Sequence, residues 1–293
     1  MLVSFIVVAF NAGDKLRTLI QDLKKQDYDH NKVEVIFVDS NSTDNTKKIM
    51  EDFKNSDSTF LRICILDNPK RILPCGWNIA LKESKGDLII RVDAHSSIPS
   101  DFIRKNVEAI KRGEKIVGGQ RISIIDENNS WQKILLIAET SLFGSGIASY
   151  RRTNEKKYVN TLAHAAYSRE VFKTVGGYDE RLARTEDNEI HYRMRRAGYK
   201  FLLDPEIKSY HYARNTFSKM LKQKYMNGYW IGLTLGVSPK CFSFYHFVPL
   251  FFILAILFGI ILGLFGIMAP IRTLVVAYLT VNVLNTIVSI YGK

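Results

Sequence analysis

The chain has 293 residues, with 41 Lys and Arg against 29 Asp and Glu and a formal charge of +12. The basic excess comes without Arg-Gly or aromatic repeats, so we expect no nucleic-acid partner; anionic lipid or phosphate groups explain the charge equally well. Three cysteines without metal or redox spacing suit a reducing compartment and no disulfide framework.

The N-terminal third alternates between apolar runs and helical patterns. Residues 2–9 are a near-continuous apolar run, typical of a parallel strand covered on both faces. No basic region precedes this run, so we expect no secretory signal and a cytoplasmic catalytic part. Further strands are predicted at residues 33–39, 61–66 and 88–92, with a helix between each pair. This alternation predicts an α/β fold with an open, mostly parallel sheet.

Polar residues stand at the carboxyl ends of these four predicted strands. They are Asn11, Asp39, Asn68 and Asp93. Ligands of open parallel sheets bind outside the carboxyl ends of the strands. Four polar residues at one edge are harder to explain by chance than any one of them, so the edge is the predicted binding site.

Asp93 and His95 follow the fourth strand with a spacing of two residues. Side chains of a strand repeat every two residues, which predicts that both point to the same side and can hold a divalent metal. The alternative is that Asp93 caps a turn beside an incidental histidine. Taken alone, the spacing favours the alternative.

The second half is less regular. Short strands are predicted at residues 116–120, 201–203 and 207–210, and a mainly apolar helix at residues 131–148. Another helix is expected from Thr185 to about residue 197, because Thr185 fits an N-cap, acids follow in the first turn and arginines come near the end.

The C-terminal part has the composition of a membrane attachment. Residues 215–230 combine an apolar helical stripe with lysines, the pattern of an interface helix; an ordinary surface helix is the alternative. The uncharged runs at 247–268 and 273–291 predict a transmembrane hairpin, and the lysines before it place the main domain on the cytoplasmic side. The expected parts are a catalytic domain (1–215), an interface segment (216–245) and two transmembrane helices (246–293).

Several segments, in this order, resemble the motifs of family 2 glycosyltransferases, and later ones resemble the bacterial exopolysaccharide branch of that family. They are VVAFN at 7–11, VDSNSTD at 38–44, RVDAH at 91–95, TED at 185–187, YARN at 212–215 and QKY at 223–225. The resemblance runs from the first strand to about Trp230. It implies a GT-A catalytic domain, a nucleotide-diphosphate sugar donor, a divalent metal and inversion by direct displacement.

The resemblance also implies roles for individual residues. The donor-binding residues would be Phe10, Asn11, Asp39, Asn68, Arg71, Asn78, Asp93 and Arg214. The metal ligands would be Asp93 and His95, with His211 as a possible third ligand. Because His95 replaces the usual second carboxylate, and imidazole is the softer ligand, Mn²⁺ is expected over Mg²⁺.

Asp187 matches the position of the family's catalytic base, which removes the proton of the acceptor hydroxyl. The alternative is that Glu186 and Asp187 only complement the helix dipole. Glu186 and Glu189 are expected as supporting acids, and Gln223 and Trp230 as acceptor-facing residues. Gln223 is not followed by the Arg-Trp pair of processive synthases, which counts against processive polymerisation.

These patterns lead to one expected function and two alternatives. The expected function is that of an inverting, metal-dependent transferase in exopolysaccharide or capsule synthesis. It would move a sugar from a nucleotide-diphosphate sugar, with a UDP-sugar as the first choice, to a lipid-linked saccharide. It would lie at the bacterial inner membrane. The alternatives are a processive polysaccharide synthase and a non-catalytic membrane scaffold with the same fold.

Overall fold

The computed structural model describes residues 1–141, 155–212 and 216–291. The strands are β1 (Val3–Ala9), β2 (Val33–Asp39), β3 (Arg62–Asp67), β4 (Leu88–Arg91), β5 (Ser96–Ser97), β6 (Ile116–Ile124), β7 (Lys157–Val159), β8 (Ala165–Ser168) and β9 (Phe201–Tyr212). The helices are α1 (Gly13–Lys24), α2 (Thr46–Ser56), α3 (Leu73–Glu83), α4 (Phe102–Lys111), α5 (Ser130–Thr140), α6 (Arg169–Val175), α7 (Glu186–Arg196), α8 (Phe217–Leu235), α9 (Val248–Leu264) and α10 (Ala269–Tyr291).

The first four strands form the parallel half of one sheet, in the order β3-β2-β1-β4. In the register Ala9 pairs with Asp39, and Asp39 pairs with Asp67. The carboxyl ends of β1, β2 and β3 are therefore level, and the loops that follow them lie at one edge. This confirms the predicted α/β arrangement for the N-terminal third.

The remaining strands make the sheet mixed. β8 runs antiparallel between β4 and β6, while β9 is parallel to β6 and antiparallel to β5 and β7. The two strands predicted at residues 201–203 and 207–210 are one strand, β9, which contains Pro205. The ladder between β6 and β9 shifts register between Gly118 and Gln120, and this irregularity accommodates the proline.

Successive residues of the buried strands pack into two separate cores. Phe5 and Val7 belong to the core that contains α1, α2 and α4, and Ile6 and Val8 belong to the core that contains α3 and α7. Because β1 is covered on both faces, its sequence shows no alternation of polar and apolar residues. Burial of one large apolar side chain such as Phe37 contributes about 2–3 kcal/mol.

The C-terminal helices pack on each other and expose most of their apolar side chains. The rings of Phe252 and Tyr278 lie 5.2 Å apart, and a Cβ on Gly259 would lie 3.1 Å from Cβ of Ile271. Phe244–Leu264 and Ala269–Val288 are long and apolar enough to span a membrane. The two helices are therefore a candidate membrane hairpin.

Candidate active site

The loops after β1, β2 and β3 carry strained backbone at the predicted binding edge. Within the described ranges, only three residues other than glycine have positive φ: Asn11 (47°), Asn41 (60°) and Arg71 (59°). Each follows one of the three strands by two to four residues. Left-handed backbone at such residues persists only where the surroundings hold it, and it concentrates at functional sites.

Hydrogen bonds tie the first two loops into one unit. The backbone N–H of Asn11 donates to Oγ of Ser42 (3.0 Å), and the N–H of Thr43 donates to Oδ1 of Asn11 (2.8 Å). The carboxylate of Asp39 accepts the N–H of Ser42 at 3.1 and 3.3 Å and is 2% exposed. Asn11 and Asp39 are thus brought together, as predicted.

A cleft of about 480 Å³ opens above this edge. Its lining residues are Val8, Phe10, Asn11, Ala12, Gly13, Asp14, Lys15, Asp44, Ala94, His95, His211 and Tyr212. Phe10 is 54% exposed, and the guanidinium of Arg71 lies 5.9 Å from its ring centroid. Four predicted site residues, Phe10, Asn11, His95 and His211, therefore share one cleft.

Two predicted donor residues face inward and make structural contacts. Asn68 is buried and donates through Nδ2 to Oγ of Ser40 and to the carbonyl of Ile72, both at 3.0 Å. Nδ2 of Asn78 donates to the carbonyl of Tyr178 (2.9 Å), and Oδ1 of Asn78 accepts the backbone N–H of Tyr178 (2.7 Å). Asn68 and Asn78 do not line the cleft, and their donor-binding role stays a prediction. Arg214 lies outside the described residues.

Asp93 and His95 do not alternate along a strand, so this prediction is wrong. Strand β4 ends at Arg91, and the next residues form a turn in which the N–H of Ser96 donates to the carbonyl of Asp93 (3.0 Å). The turn nevertheless brings His95 to the ring of His211, with centroids 4.9 Å apart. Tertiary structure, rather than strand periodicity, therefore collects these side chains.

His164 pairs with Asp93. Its Nε2 lies 3.3 Å from a carboxylate oxygen of Asp93 and 3.2 Å from Oγ of Ser96. Burial opposes ionisation of Asp93, but the hydrogen bond and charge of His164 and the charge of Arg91 outweigh it. They hold the pKa of Asp93 well below its usual range.

The donor atoms beside this turn have the chemistry of a metal site. Burial lowers the pKa of His211 to about 2, so its imidazole is neutral, the form that binds a metal. Its Nδ1 is buried without a hydrogen-bond partner among the described residues. In the same described ranges, no three His, Cys, Asp or Glu side chains converge as a metal-binding group. Asp93 and His211 thus fit a divalent ion by type, and the ligand set stays a prediction.

A buried hydrogen bond connects β4 with the first turn of α7. Nη2 of Arg91 donates to Oε1 of Glu186 at 3.2 Å, and the guanidinium lies 4.5 Å from the ring centroid of Trp77 and 5.5 Å from that of Tyr178. Burial and the charge of Asp187 raise the pKa of Glu186 to about 8, against the opposing charge of Arg91. This contact links the turn of Asp93 to the predicted base.

The acids of α7 have different surroundings. Asp187 is partly exposed, and its Oδ1 accepts the N–H of Asn188 (2.8 Å). Glu189 is buried and accepts two hydrogen bonds from Arg193, at 2.7 and 2.8 Å. Glu189 is therefore used by the fold, whereas Asp187 keeps an exposed carboxylate of the kind that a base requires.

Thr185 holds the N-cap position of α7 without the predicted capping hydrogen bond. Its hydroxyl oxygen lies 2.5 Å from that of Thr234 on α8. Gln223 and Trp230 lie on the same helix, both half-buried. Their acceptor-facing role stays a prediction.

Sequence reasoning missed His164 and gave no role to Arg91. The signal for Arg91 is a charged residue that ends the apolar run LIIR, where a buried strand is predicted. The signal for His164 is weaker, a polar residue just before the apolar run AAY. Neither signal reveals the partner, because His164 lies 71 residues from Asp93 and Arg91 lies 95 residues from Glu186.

Comparison with known proteins identifies the family of this chain. The profile described as "Glycosyl transferase family 2" matches residues 4–176, more than half of the chain. The chain belongs to this family and is a glycosyltransferase, which confirms the resemblance of the motifs. Membership favours the enzyme over the non-catalytic scaffold.

Two relatives match most of the chain. Succinoglycan biosynthesis protein ExoA of Rhizobium meliloti (strain 1021) is 30% identical in an alignment 258 residues long, which covers 81% of this chain and 76% of the relative. The second relative is dolichyl N-acetyl-alpha-D-glucosaminyl phosphate 3-beta-D-2,3-diacetamido-2,3-dideoxy-beta-D-glucuronosyltransferase of Methanococcus voltae. It is 28% identical in an alignment 268 residues long, which covers 89% of this chain and 82% of the relative. The matched regions extend past the end of the family profile.

Solved structures share the fold. Staphylococcus aureus TarS 1-349 in complex with UDP-GlcNAc has a TM-score of 0.54 at 19% identity and covers 74% of this chain and 60% of its own. GalNAc-T7 with UDP, GalNAc and Mn²⁺ has a TM-score of 0.56 at 20% identity, with coverage of 73% and 44%. The catalytic domain therefore has the expected GT-A fold.

Proposed function

We propose that this glycosyltransferase moves a sugar from a UDP-sugar, with inversion, to a lipid-linked saccharide acceptor. The observation that carries the proposal is the contact between Arg91 and Glu186. It joins the turn of Asp93, beside the cleft, to the helix turn that bears Asp187. The donor site and the proposed catalytic base, Asp187, are then adjacent, as direct displacement requires.

The donor would lie along the edge formed by the loops of Asn11 and Asp39. The buried carboxylate of Asp39 suits recognition of N–H groups of the base, and the exposed ring of Phe10 under Arg71 suits an aromatic base. Uracil fits both features. The structures of TarS with UDP and with UDP-GlcNAc support this choice of nucleotide for the chain.

A divalent ion, Mn²⁺ or Mg²⁺, would be held by Asp93 and His211, with His95 beside them. When bound, the ion supplies positive charge that stabilises the diphosphate leaving group. The structure of GalNAc-T7 with UDP, GalNAc and Mn²⁺, which shares the fold, supports the choice of metal.

Asp187 would take the proton of the attacking acceptor hydroxyl. A base must be ionised before it acts, and two like charges on adjacent acids oppose each other. Burial and the charge of Asp187 raise the pKa of Glu186 to about 8, which favours the protonated form of Glu186. Glu186 therefore supports the base by remaining protonated.

The acceptor would reach Asp187 from the membrane. The names of the relatives, a succinoglycan biosynthesis protein and a dolichyl phosphate-linked sugar transferase, support a lipid-linked saccharide in exopolysaccharide or capsule synthesis. We propose a catalytic domain over residues 1–215, an interface segment over 216–245 and a membrane hairpin over 246–293. The catalytic domain would face the cytoplasm at the bacterial inner membrane.

The test incubates the full chain in liposomes with a panel of nucleotide sugars, Mn²⁺ or Mg²⁺, and bacterial lipid extract. Release of nucleotide diphosphate is measured with and without the extract. We expect one UDP-sugar to release UDP only when lipid is present, with one sugar added per acceptor. Long products would support the processive alternative, and no release from any nucleotide sugar would refute the proposal.

A further inference from the structure

A pair of threonine hydroxyls joins the helix of the proposed base to the helix that leads into the candidate membrane hairpin. Thr185 immediately precedes Glu186 and Asp187, and its Oγ1 lies 2.5 Å from Oγ1 of Thr234 on α8. Thr185 is 4% exposed and Thr234 is 0% exposed. The two hydroxyls are shielded from water, so each depends on the partners that the fold supplies.

The second hydrogen bond of Thr234 determines the direction of the first. The hydroxyl of Thr234 donates to the carbonyl of Trp230 at 2.7 Å. A hydroxyl carries one proton, so Thr234 has none left for Thr185 and must accept the proton of Thr185. The residue before the catalytic turn therefore donates to a fixed acceptor on α8.

The backbone of Thr234 marks the end of α8. Its carbonyl accepts the N–H of Val237 (3.0 Å) and of Ser238 (2.8 Å), which closes the helix just before the short 3-10 helix Pro239–Cys241. That short helix packs against α7, and Cys241 is buried there. The chain that enters the hairpin thus contacts α7 twice in succession, through Thr234 at its N-cap residue and through the 3-10 helix Pro239–Cys241.

We propose that Thr234 is a positioning residue for sugar transfer, which holds the first turn of α7, and with it Asp187, at the distance that the acceptor hydroxyl requires. The inference rests on the proposed role of Asp187. A displacement of about 1 Å in a reacting group lowers the rate by as much as a hundredfold. The position of α8 therefore affects the rate of sugar transfer as well as membrane attachment.

The experiment replaces Thr234 with valine, which has the same shape without the hydroxyl, in the full chain in liposomes. We expect kcat to fall about tenfold, while the Kd for the UDP-sugar, measured by calorimetry, stays within twofold of the wild type. Thr234→Ser keeps the hydroxyl and should restore kcat. Melting temperatures show whether each variant is folded.

Thr174→Val is the control, at an exposed threonine with the same two kinds of contact. The hydroxyl of Thr174 donates to the carbonyl of Glu170, four residues earlier in α6, and contacts the hydroxyl of Tyr199 at 2.9 Å. The substitution removes the same two kinds of contact from another pair of elements. Its kcat should equal that of the wild type.

A kcat of Thr234→Val within twofold of the wild type overturns the inference. If this variant does not fold, Thr185→Val removes the same hydrogen bond from its donor side and is judged by the same two constants. Asp187→Asn separates the two proposals. Loss of turnover in Asp187→Asn with normal turnover in Thr234→Val rejects only the positioning role, and normal turnover in Asp187→Asn rejects the base.

Discussion

The donor edge and the first turn of α7 are built in different ways. At the donor edge, hydrogen bonds lie within a loop or join neighbouring loops. The N–H of Thr43 donates to Asn11, 32 residues earlier in the chain, and the N–H of Ser42 donates to Asp39, three residues earlier. Around α7, side chains bridge long separations: Arg91 to Glu186 spans 95 residues. Hydrogen bonds from backbone N–H groups to loop side chains shape the donor edge, whereas contacts between two side chains locate the acid.

This difference predicts how substitutions divide between binding and turnover. Changes at the donor edge remove groups that we propose contact the nucleotide or its metal, and they should weaken donor binding. Changes around α7 leave the cleft intact and displace the acid, and they should lower turnover. Substitutions on the two sides test this division directly.

Asp187→Asn should give the largest effect. An amide cannot accept the acceptor proton, so we expect turnover to fall on the order of a hundredfold or more, with unchanged donor affinity. Initial rates and calorimetric titration with the UDP-sugar measure the two quantities. Asp52→Asn, on the exposed surface of α2, is the control. Full turnover in Asp187→Asn would exclude Asp187 as the base.

Asp93→Ala should act on the donor side. Loss of the carboxylate removes a predicted metal ligand, and we expect metal-dependent nucleotide binding to weaken about tenfold or more. Calorimetry with UDP is run with Mn²⁺ and again with a chelator. The chelator should lower the affinity of the wild type and have little further effect on the variant. An unchanged titration would count against the metal site.

Arg91→Lys should lower turnover about tenfold and leave donor affinity near normal. Lysine keeps the charge but lacks the planar group that stacks between Trp77 and Tyr178, which costs about 2 kcal/mol of unfolding free energy. The cost stays below the 3–5 kcal/mol typical of a broken buried pair, because Glu186, with its raised pKa, can remain neutral.

Arg62→Lys is the control for Arg91→Lys. Arg62 bonds Glu34 and Glu83, both at 2.6 Å, at the opposite end of the sheet. The Arg62→Lys variant should have a lower melting temperature and unchanged turnover. Equal losses of turnover in both variants would show that stability, and not the position of α7, explains the effect.

The smallest effect concerns pH. Burial, with the charges of Arg91 and Arg195, lowers the pKa of His191 to about 3, so the folded state binds fewer protons than the unfolded state between pH 6.5 and 3. The free energy of unfolding therefore falls as pH falls, by about 1 kcal/mol from pH 6.5 to 5.5. His191→Gln should remove this part of the slope in thermal unfolding series. An unaltered slope would show that His191 is protonated in the folded state.

Patterns along the chain were sufficient for the donor half of the fold. The strand between residues 2 and 9 is apolar throughout because two helical layers cover it, and polar residues mark the carboxyl ends of the parallel strands. The two C-terminal helices are equally readable, because length and apolar composition suffice to mark them as candidate membrane spans. These features depend on neighbours in the sequence.

The family, the parallel half of the sheet, the polar edge and the two apolar helices therefore follow from the order of residues alone. Packing of the folded chain was needed to show that Asp93 lies in a turn paired with His164, that Arg91 reaches Glu186, and that Thr185 bonds Thr234. The physical reason is distance along the chain. Periodicity reports which face of an element is buried, whereas the partner of a buried polar group depends on how separate elements pack.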